Sequence, residues 1–522
     1  MSNKEDLGLN SKDTNSLNKL IFIPSYLVVG GAALYGLLNN EGLTKVASGF
    51  FTFSLRNFGW LYQIVSIAAL MFVAILTFSK LGNIRFGGPD AKPDFPFWTW
   101  FAMTLTGGIS TGLVTYAVNE PIIYFSNIYG EMANTGIEAG STMAAIFGMA
   151  RSYYNWTFIP YAMYALTGVL SAYLYFNKNK PLTISASLIP IFGDKITKSI
   201  WSEIIEILAL LAIALGLASS LGAGLALLGA GVEVAYGIKQ GPIIWLIFTI
   251  IIAATFIFSS VLGLEKGISW FANLNSKIFY VLLGVVFIIG PTIYILKIQT
   301  IGLGYWFQNF WIWGLDPIDV GGEALVMWWT LYDWAIWIAY APLMGLFLAT
   351  IAYGRTIREF MVVNWVLPSV FSIVWIAVWG GTALHWQAIG KVDLAKVIAE
   401  NGAVAGLWAF LQNVPLSIII IPVLMITLIL SFSTNANGMT RTIASMCTRN
   451  IKHDEEPKMW LKVLWGTTIS AIAFIMVAFG GGVQGIDGVK YLAAAGGFVV
   501  LFLFILQIAS AIKLFFFDEK IE

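Results

Sequence analysis

Five large aromatic side chains and one carboxylate crowd a single stretch: Trp329, Tyr332, Trp334, Trp337 and Tyr340, with Asp333 among them. An aromatic face attracts a cation, and several faces together hold quaternary ammonium groups. On a helix, residues three and four apart share a face. That spacing predicts a stripe of Trp334, Trp337, Tyr340 or Ala341, and Met344, bordered by Asp333. The stretch lies inside an apolar segment long enough to cross a bilayer. An ionisable side chain at that depth is costly and points to a functional site. An interfacial belt of Trp and Tyr would account for Trp328 and Trp329 at the segment's end. It accounts less well for a stripe running several turns inward.

The elements that must position these residues are membrane helices. The chain has 522 residues, 58% hydrophobic and 11% charged, with a mean hydropathy of +0.80. Soluble domains carry about 25% charged residues. Apolar runs of roughly 20 residues recur along the whole chain, the length a spanning helix needs. Only helices or closed barrels satisfy the backbone in lipid, and these runs are too long for barrel strands. The pattern predicts an all-α polytopic membrane protein with twelve transmembrane helices. Amphipathic surface helices are expected at 300–314 and 392–413. Taking the N-terminus as cytoplasmic, the inner segments carry 21 of the 29 Lys and Arg residues. That asymmetry predicts both termini inside. Residues 1–19 read as a polar tail rather than a signal peptide.

One cysteine, Cys447, and two histidines, His385 and His453, leave little for a metal centre, a disulfide framework or a catalytic triad. Nothing supports nucleic-acid binding, and no phosphate-binding loop appears. Glycines between Gly216 and Gly231 fit GxGxxG-like patterns, but within a hydrophobic span. They read as helix packing or a hinge. Polarity concentrates elsewhere. Thr104 to Gly112 holds three glycines and four hydroxyl residues, which weakens a helix. Close helix packing is one reading. An unwound segment whose carbonyls meet an ion or substrate is the other. A second polar, glycine-bearing break is expected at Ser431 to Gly438, where Ser433, Thr434 and Asn435 offer oxygens suited to a hard cation. The acidic residues Glu120, Glu131 and Glu138 read as an outer loop, the last two as solvated.

Several motifs in order resemble the betaine/choline/carnitine transporter family along nearly the whole chain. They are Gly82-Asn-Ile-Arg-Phe-Gly87 with Lys92-Pro-Asp-Phe95, the glycines from Gly108 to Gly112, and Glu120-Pro121. They continue with Trp156, Tyr161 and Tyr164 at the family's aromatic spacing, Gly354-Arg-Thr-Ile-Arg-Glu-Phe360, and Gly380-Gly-Thr-Ala-Leu384. The resemblance implies two inverted five-helix repeats, as in the sodium-coupled leucine transporter fold, after two N-terminal helices. The repeats would occupy 97–298 and 325–516. Residues 20–96 would hold the accessory helices, 299–324 a surface amphipathic helix, and 517–522 a short cytoplasmic tail too small for osmotic activation. It also implies a homotrimer in the cell's inner (plasma) membrane. The activity implied is alternating-access uptake of a small methylated amine, without a cofactor and with Na⁺ as coupling ion.

Carried over position by position, the resemblance implies Trp156, Tyr164, Trp337 and Tyr340 as walls of a central aromatic box. The backbone from Gly108 to Gly112 would lie beside it and Trp334 on the access route. Three departures stand out. Trp328 replaces a small residue, Asp333 an aromatic, and Ile336 the first of two paired tryptophans. One wall is then aliphatic, which weakens a cation–π site by roughly 0.5–2 kcal/mol. Asp333 supplies a negative charge instead, suiting a net cation or a less methylated amine. Gly112 stands where choline-selective relatives carry aspartate, which suits a zwitterionic betaine. The implied sodium site comprises Thr106 and Ile109 with Ser431, Thr434 and Asn435. Asn275 is of the sodium-dependent type, where carnitine exchangers carry arginine. Met344 is of the exchanger type, so substrate/product exchange remains the alternative.

Overall fold

A computed structural model describes residues 16–108, 111–263, 267–449, 451–452, 455–479 and 487–518. Nearly all of them are helical. The main helices are α1 (Lys19–Leu38), α2 (Asn40–Phe78), α3 (Phe97–Gly108), α4 (Thr111–Ser126), α5 (Thr142–Trp156), α6 (Phe158–Lys178), α7 (Ile200–Tyr236), α8 (Pro242–Gly263), α9 (Ser269–Ile289) and α10 (Thr292–Leu315). They continue with α11 (Tyr332–Thr350), α12 (Leu367–Ala388), α13 (Leu394–Gln412), α14 (Ser417–Met446), α15 (Met459–Phe479) and α16 (Asp487–Ile512). A π-helical segment, Glu323–Leu331, leads into α11. Twelve helical stretches among the described residues are long and apolar enough to cross a membrane. That number agrees with the sequence, but the members differ. The stretch from 97 to 126 is in two pieces, each too short alone, while α13 qualifies.

Local chemistry explains the joints. Asn39 ends α1 and caps α2, its side chain accepting from the Gly42 amide at 2.9 Å. The helix that follows therefore starts about twenty residues before its apolar core at Trp60. Gly290 and Pro291 stop α9, so the expected surface helix begins at Thr292 rather than at 300. It is largely apolar on its outer side, with Phe307, Trp311 and Ile312 exposed. Gly402, at φ 80°, kinks α13. Thr157 leaves the helical region and separates α5 from α6. The break expected at Ser431 to Gly438 is absent: α14 runs unbroken for 30 residues. Its hydroxyls bond back into the helix instead, Thr434 to the Leu430 carbonyl at 2.8 Å and Thr440 to that of Ala436 at 2.5 Å. Ile109 and Ser110, in the glycine stretch, lie outside the described residues. The helix ends at Gly108 and resumes at Thr111.

The core centres on α6 and α11, which pack along each other and against α2, α7 and α16. The α5–α6 stretch is almost wholly buried, whereas α1 is mostly exposed; the first is central and the second peripheral. Glycine sets the close approaches. A Cβ on Gly345 of α11 would fall 2.7 Å from the backbone of Thr167 on α6. Gly216, Gly224 and Gly231 of α7 abut Tyr340, Phe432 and Trp408. That bears out the packing reading of this stretch. Two family motifs also meet in space. Arg358 donates to the Thr77 and Ser79 carbonyls and to Asn83, Arg355 donates to the Phe95 carbonyl at 2.6 Å, and Arg85 donates to the Gly354 carbonyl. Gly354, at φ 72°, lies against the Lys92 backbone where a Cβ would fall 2.2 Å away.

Candidate functional site

The tryptophans of the opening stretch do not share one cavity wall. Each i+3 step turns an α-helix by about 300°, so successive rings fall back by about 60°. Trp334 consequently packs on Tyr154, ring centres 5.7 Å apart. Trp337 packs between Tyr164 at 4.6 Å and Tyr161 at 5.1 Å. Tyr340 lies against Gly216 of α7 and close to Tyr164, at the edge of the same group. The box around Trp337 is thus made of Tyr161, Tyr164 and Trp337, all buried. Tyr161 is the ring that one-helix periodicity could not assign, since it comes from α6. Its hydroxyl shares a hydrogen bond with Ser372 on α12 at 3.3 Å.

Trp156 joins a second aromatic group. It stacks on Tyr116 at 6.0 Å, and Tyr116 meets Trp329 edge-on at 5.7 Å. Trp329 in turn meets Tyr124 at 5.3 Å. Trp329 is therefore a wall of this group and not a belt residue. Both indoles are tied to carboxylates: Trp156 donates to Glu120 at 2.5 Å and Trp329 to Glu131 at 3.4 Å. Such bonds leave the ring faces more electron-rich, which favours cations.

Glu120 is not a loop residue. The third span continues as α4 to Ser126, which carries Glu120 into the interior. Its carboxylate accepts from Tyr124 at 2.9 Å, Asn155 at 2.7 Å and Trp156. An acceptor with three donors is what an ionised carboxylate provides. Glu131 is likewise buried rather than solvated, accepting from the Tyr129 amide at 3.0 Å. Burial pushes its carboxyl above the usual range. Glu138 is exposed, as expected. A hydrogen-bonded chain extends from Glu120. Asn155 accepts from the Thr330 hydroxyl at 3.2 Å, and Thr330 accepts from Arg151 at 2.7 Å. Asp333 follows Thr330 by three residues. Its Oδ2 is buried and has no hydrogen-bond partner among the described residues. Asn155, Thr330 and Arg151 carried no sequence signal beyond being polar in apolar segments. That is the cue that could have found them.

The expected cation ligands lie where α3, α9 and α14 pack together. Asn275 donates to Ser431 at 2.7 Å, joining α9 to α14. The side-chain oxygens Asn275 Oδ1, Ser433 Oγ and Asn435 Oδ1 are buried and unpartnered among the described residues. Thr106 and Thr434 instead spend their hydroxyl protons on their own helices, at the Ala102 and Leu430 carbonyls. Their oxygen lone pairs stay available. Ile109, expected to contribute here, is outside the described residues. Gly108 ends α3 and Gly112 sits in the first turn of α4. No group of three or more His, Cys, Asp or Glu residues forms a metal site among the described residues.

Residues 20–520 match the sequence model of the betaine/carnitine/choline family of transporters. The chain is 29% identical to an ectoine/hydroxyectoine transporter of Virgibacillus pantothenticus, covering 97% of this chain and 98% of that one. It is 30% identical to a probable glycine betaine transporter of Desulfitobacterium hafniense, covering 95% and 97%. It is 29% identical to the osmo-independent choline transporter BetT1 of Acinetobacter baylyi, covering 87% and 86%. With twelve membrane-length helices and a family match over nearly its whole length, this chain belongs to the betaine/carnitine/choline family of transporters.

Proposed function

We propose that the protein is a secondary active transporter that imports a small quaternary-ammonium or methylated amine compound by alternating access. The observation that carries this reading is the Tyr161, Tyr164 and Trp337 box, with Asp333 one helical turn before Trp337 on α11 and its Oδ2 buried and without a hydrogen-bond partner among the described residues. Aromatic faces would hold the cationic end by cation–π attraction. Asp333 favours a substrate that also offers N–H donors or a net charge: a less methylated amine, or an amidinium of the kind found in ectoine. A relative named for ectoine is compatible with that preference. Two five-helix halves, 97–298 and 325–516, would rock around this site. The protein would sit as a homotrimer in the plasma membrane with both termini cytoplasmic.

Sodium is the proposed coupling ion. The support is the unpartnered oxygens of Asn275 on α9 and of Ser433 and Asn435 on α14, with Ser431 and Thr434 also on α14 and Thr106 on α3, which packs against both helices. All are neutral oxygen donors, which suit a hard monovalent cation. Uptake into proteoliposomes of labelled ectoine, glycine betaine, choline and carnitine, with and without an inward sodium gradient, tests both parts. Accumulation that requires the gradient is expected. Uptake that ignores sodium but needs substrate inside the vesicle would replace symport with exchange. No uptake of any of the four by active protein would remove the substrate class.

A further inference from the structure

Arg151 is a full positive charge with no assigned task. It sits on α5 and is completely buried. Its guanidinium lies over the rings of Trp313 at 5.0 Å and Tyr154 at 5.4 Å. One nitrogen, Nη2, donates to Thr330, while Nε and Nη1 have no hydrogen-bond partner among the described residues. A buried cation is costly unless another charge offsets it. Around it lie Glu120, reached through Thr330 and Asn155, and the half-buried Asp316 after α10. Asp333 lies one turn beyond Thr330 and neighbours Glu120, and its Oδ2 has no hydrogen-bond partner among the described residues.

We infer that Arg151 sets the charge selectivity of the substrate path: it offsets Glu120, so that Asp333 is left as the counter-charge for the substrate. This rests on the reading that the Trp337 box and Asp333 bind the solute. Arg151 is a positioning residue, acting through Thr330, Asn155 and Glu120 and through its field. A packing role would be met by the two rings alone and would not care which charge the substrate carries.

Binding of choline, a net cation, and glycine betaine, a zwitterion, to purified protein in nanodiscs separates the two roles. One unit charge about 10 Å away, at an effective dielectric of about 20, changes affinity for a unit ion by about tenfold. Arg151→Gln should therefore lower the ratio of choline to betaine Kd about tenfold, while Arg151→Lys keeps it. Glu120→Gln should move the ratio the other way, and the double variant should restore it. If Arg151→Gln does not fold, Arg151→Met, which keeps apolar packing against Trp313 and Tyr154 and removes the charge, takes its place with the same expected shift. Ratios within twofold of the wild type, or both single variants shifting it in the same direction, overturn the inference while leaving the substrate class intact. Wild-type protein that binds neither probe removes the substrate class itself, and the inference with it.

Discussion

Single residues carry the chemistry, and their types were readable before their partners were. A carboxylate and a run of aromatics in an apolar segment stand out in any sequence. Which rings touch depends on helix rotation and on neighbours from other helices, so Trp334 packs on Tyr154 while Trp337 packs on Tyr164, which Tyr340 also approaches. Trp337 is the ring with two aromatic partners. Trp337→Ala should weaken binding of a methylated amine by about 1–3 kcal/mol, the loss of one cation–π face plus its packing. That is roughly five- to 150-fold in Kd, measurable by calorimetry. Trp334→Ala, remote from Tyr161 and Tyr164, should damage stability more than affinity. Equal affinity losses would return both rings to a single box. Asp333→Asn keeps shape and removes charge. It should cost an N–H-bearing cation about tenfold or more, the worth of a charged hydrogen bond, and a fully methylated one less. Identical losses for the two would make Asp333 structural.

Elements were legible where composition alone decides them and hidden where a few polar residues intervene. Spans of apolar residues located most helices within a few positions. The 39-residue α2 was missed in its first half because Asn39, Asn40 and Glu41 look like a loop, yet they cap a helix. Ser431 to Gly438 looked like a break because its residues favour turns in water. In a buried helix the Thr434 hydroxyl instead bonds to the preceding turn, Ser431 meets Asn275 of α9, and the helix continues. Glycine positions were visible but their purpose was not, since a close approach needs a partner from elsewhere in the chain. Gly345→Ala tests one such approach. The added methyl would meet the Thr167 side chain and backbone, where Thr167 also donates to the Ala341 carbonyl at 2.7 Å. Forcing α6 and α11 apart should cost about 1–3 kcal/mol and slow transport. Gly284→Ala on α9, with nothing within 4 Å of its Cβ, should be neutral or stabilising by up to about 1 kcal/mol. Thermal denaturation of the two variants side by side distinguishes the cases. Equal effects would mean that glycine at 345 matters only for helix propensity.

The whole molecule depends on contacts between segments far apart in sequence, which no local pattern reveals. The family resemblance supplied the overall arrangement, but not the polar ties that fasten its ends. One such tie joins α8, α14 and α15. Glu456, before α15, meets Arg441 at 3.2 Å and Lys462 at 2.9 Å, and Lys462 also donates to the Ser260 carbonyl at 3.2 Å. The two cations are nearly buried, at 5% and 4% side-chain exposure, whereas Glu456 is 37% exposed. Burial raises the Glu456 carboxyl, but Arg441 and Lys462 outweigh it and hold the group below its ordinary value of 4.5. A carboxyl depressed on folding adds stability at pH above its unfolded value. That stability disappears as pH falls through the folded value. Breaking a fully buried pair costs about 3–5 kcal/mol and a surface pair about 0–1 kcal/mol. With Glu456 partly in solvent, Glu456→Gln should cost an intermediate amount, about 2 kcal/mol, at neutral pH. The difference in melting temperature between wild type and variant should be widest near pH 7 and close steadily as pH falls below about 4.5. A gap unchanged at low pH would show that Glu456 holds the helices by shape and hydrogen bonding, without its charge.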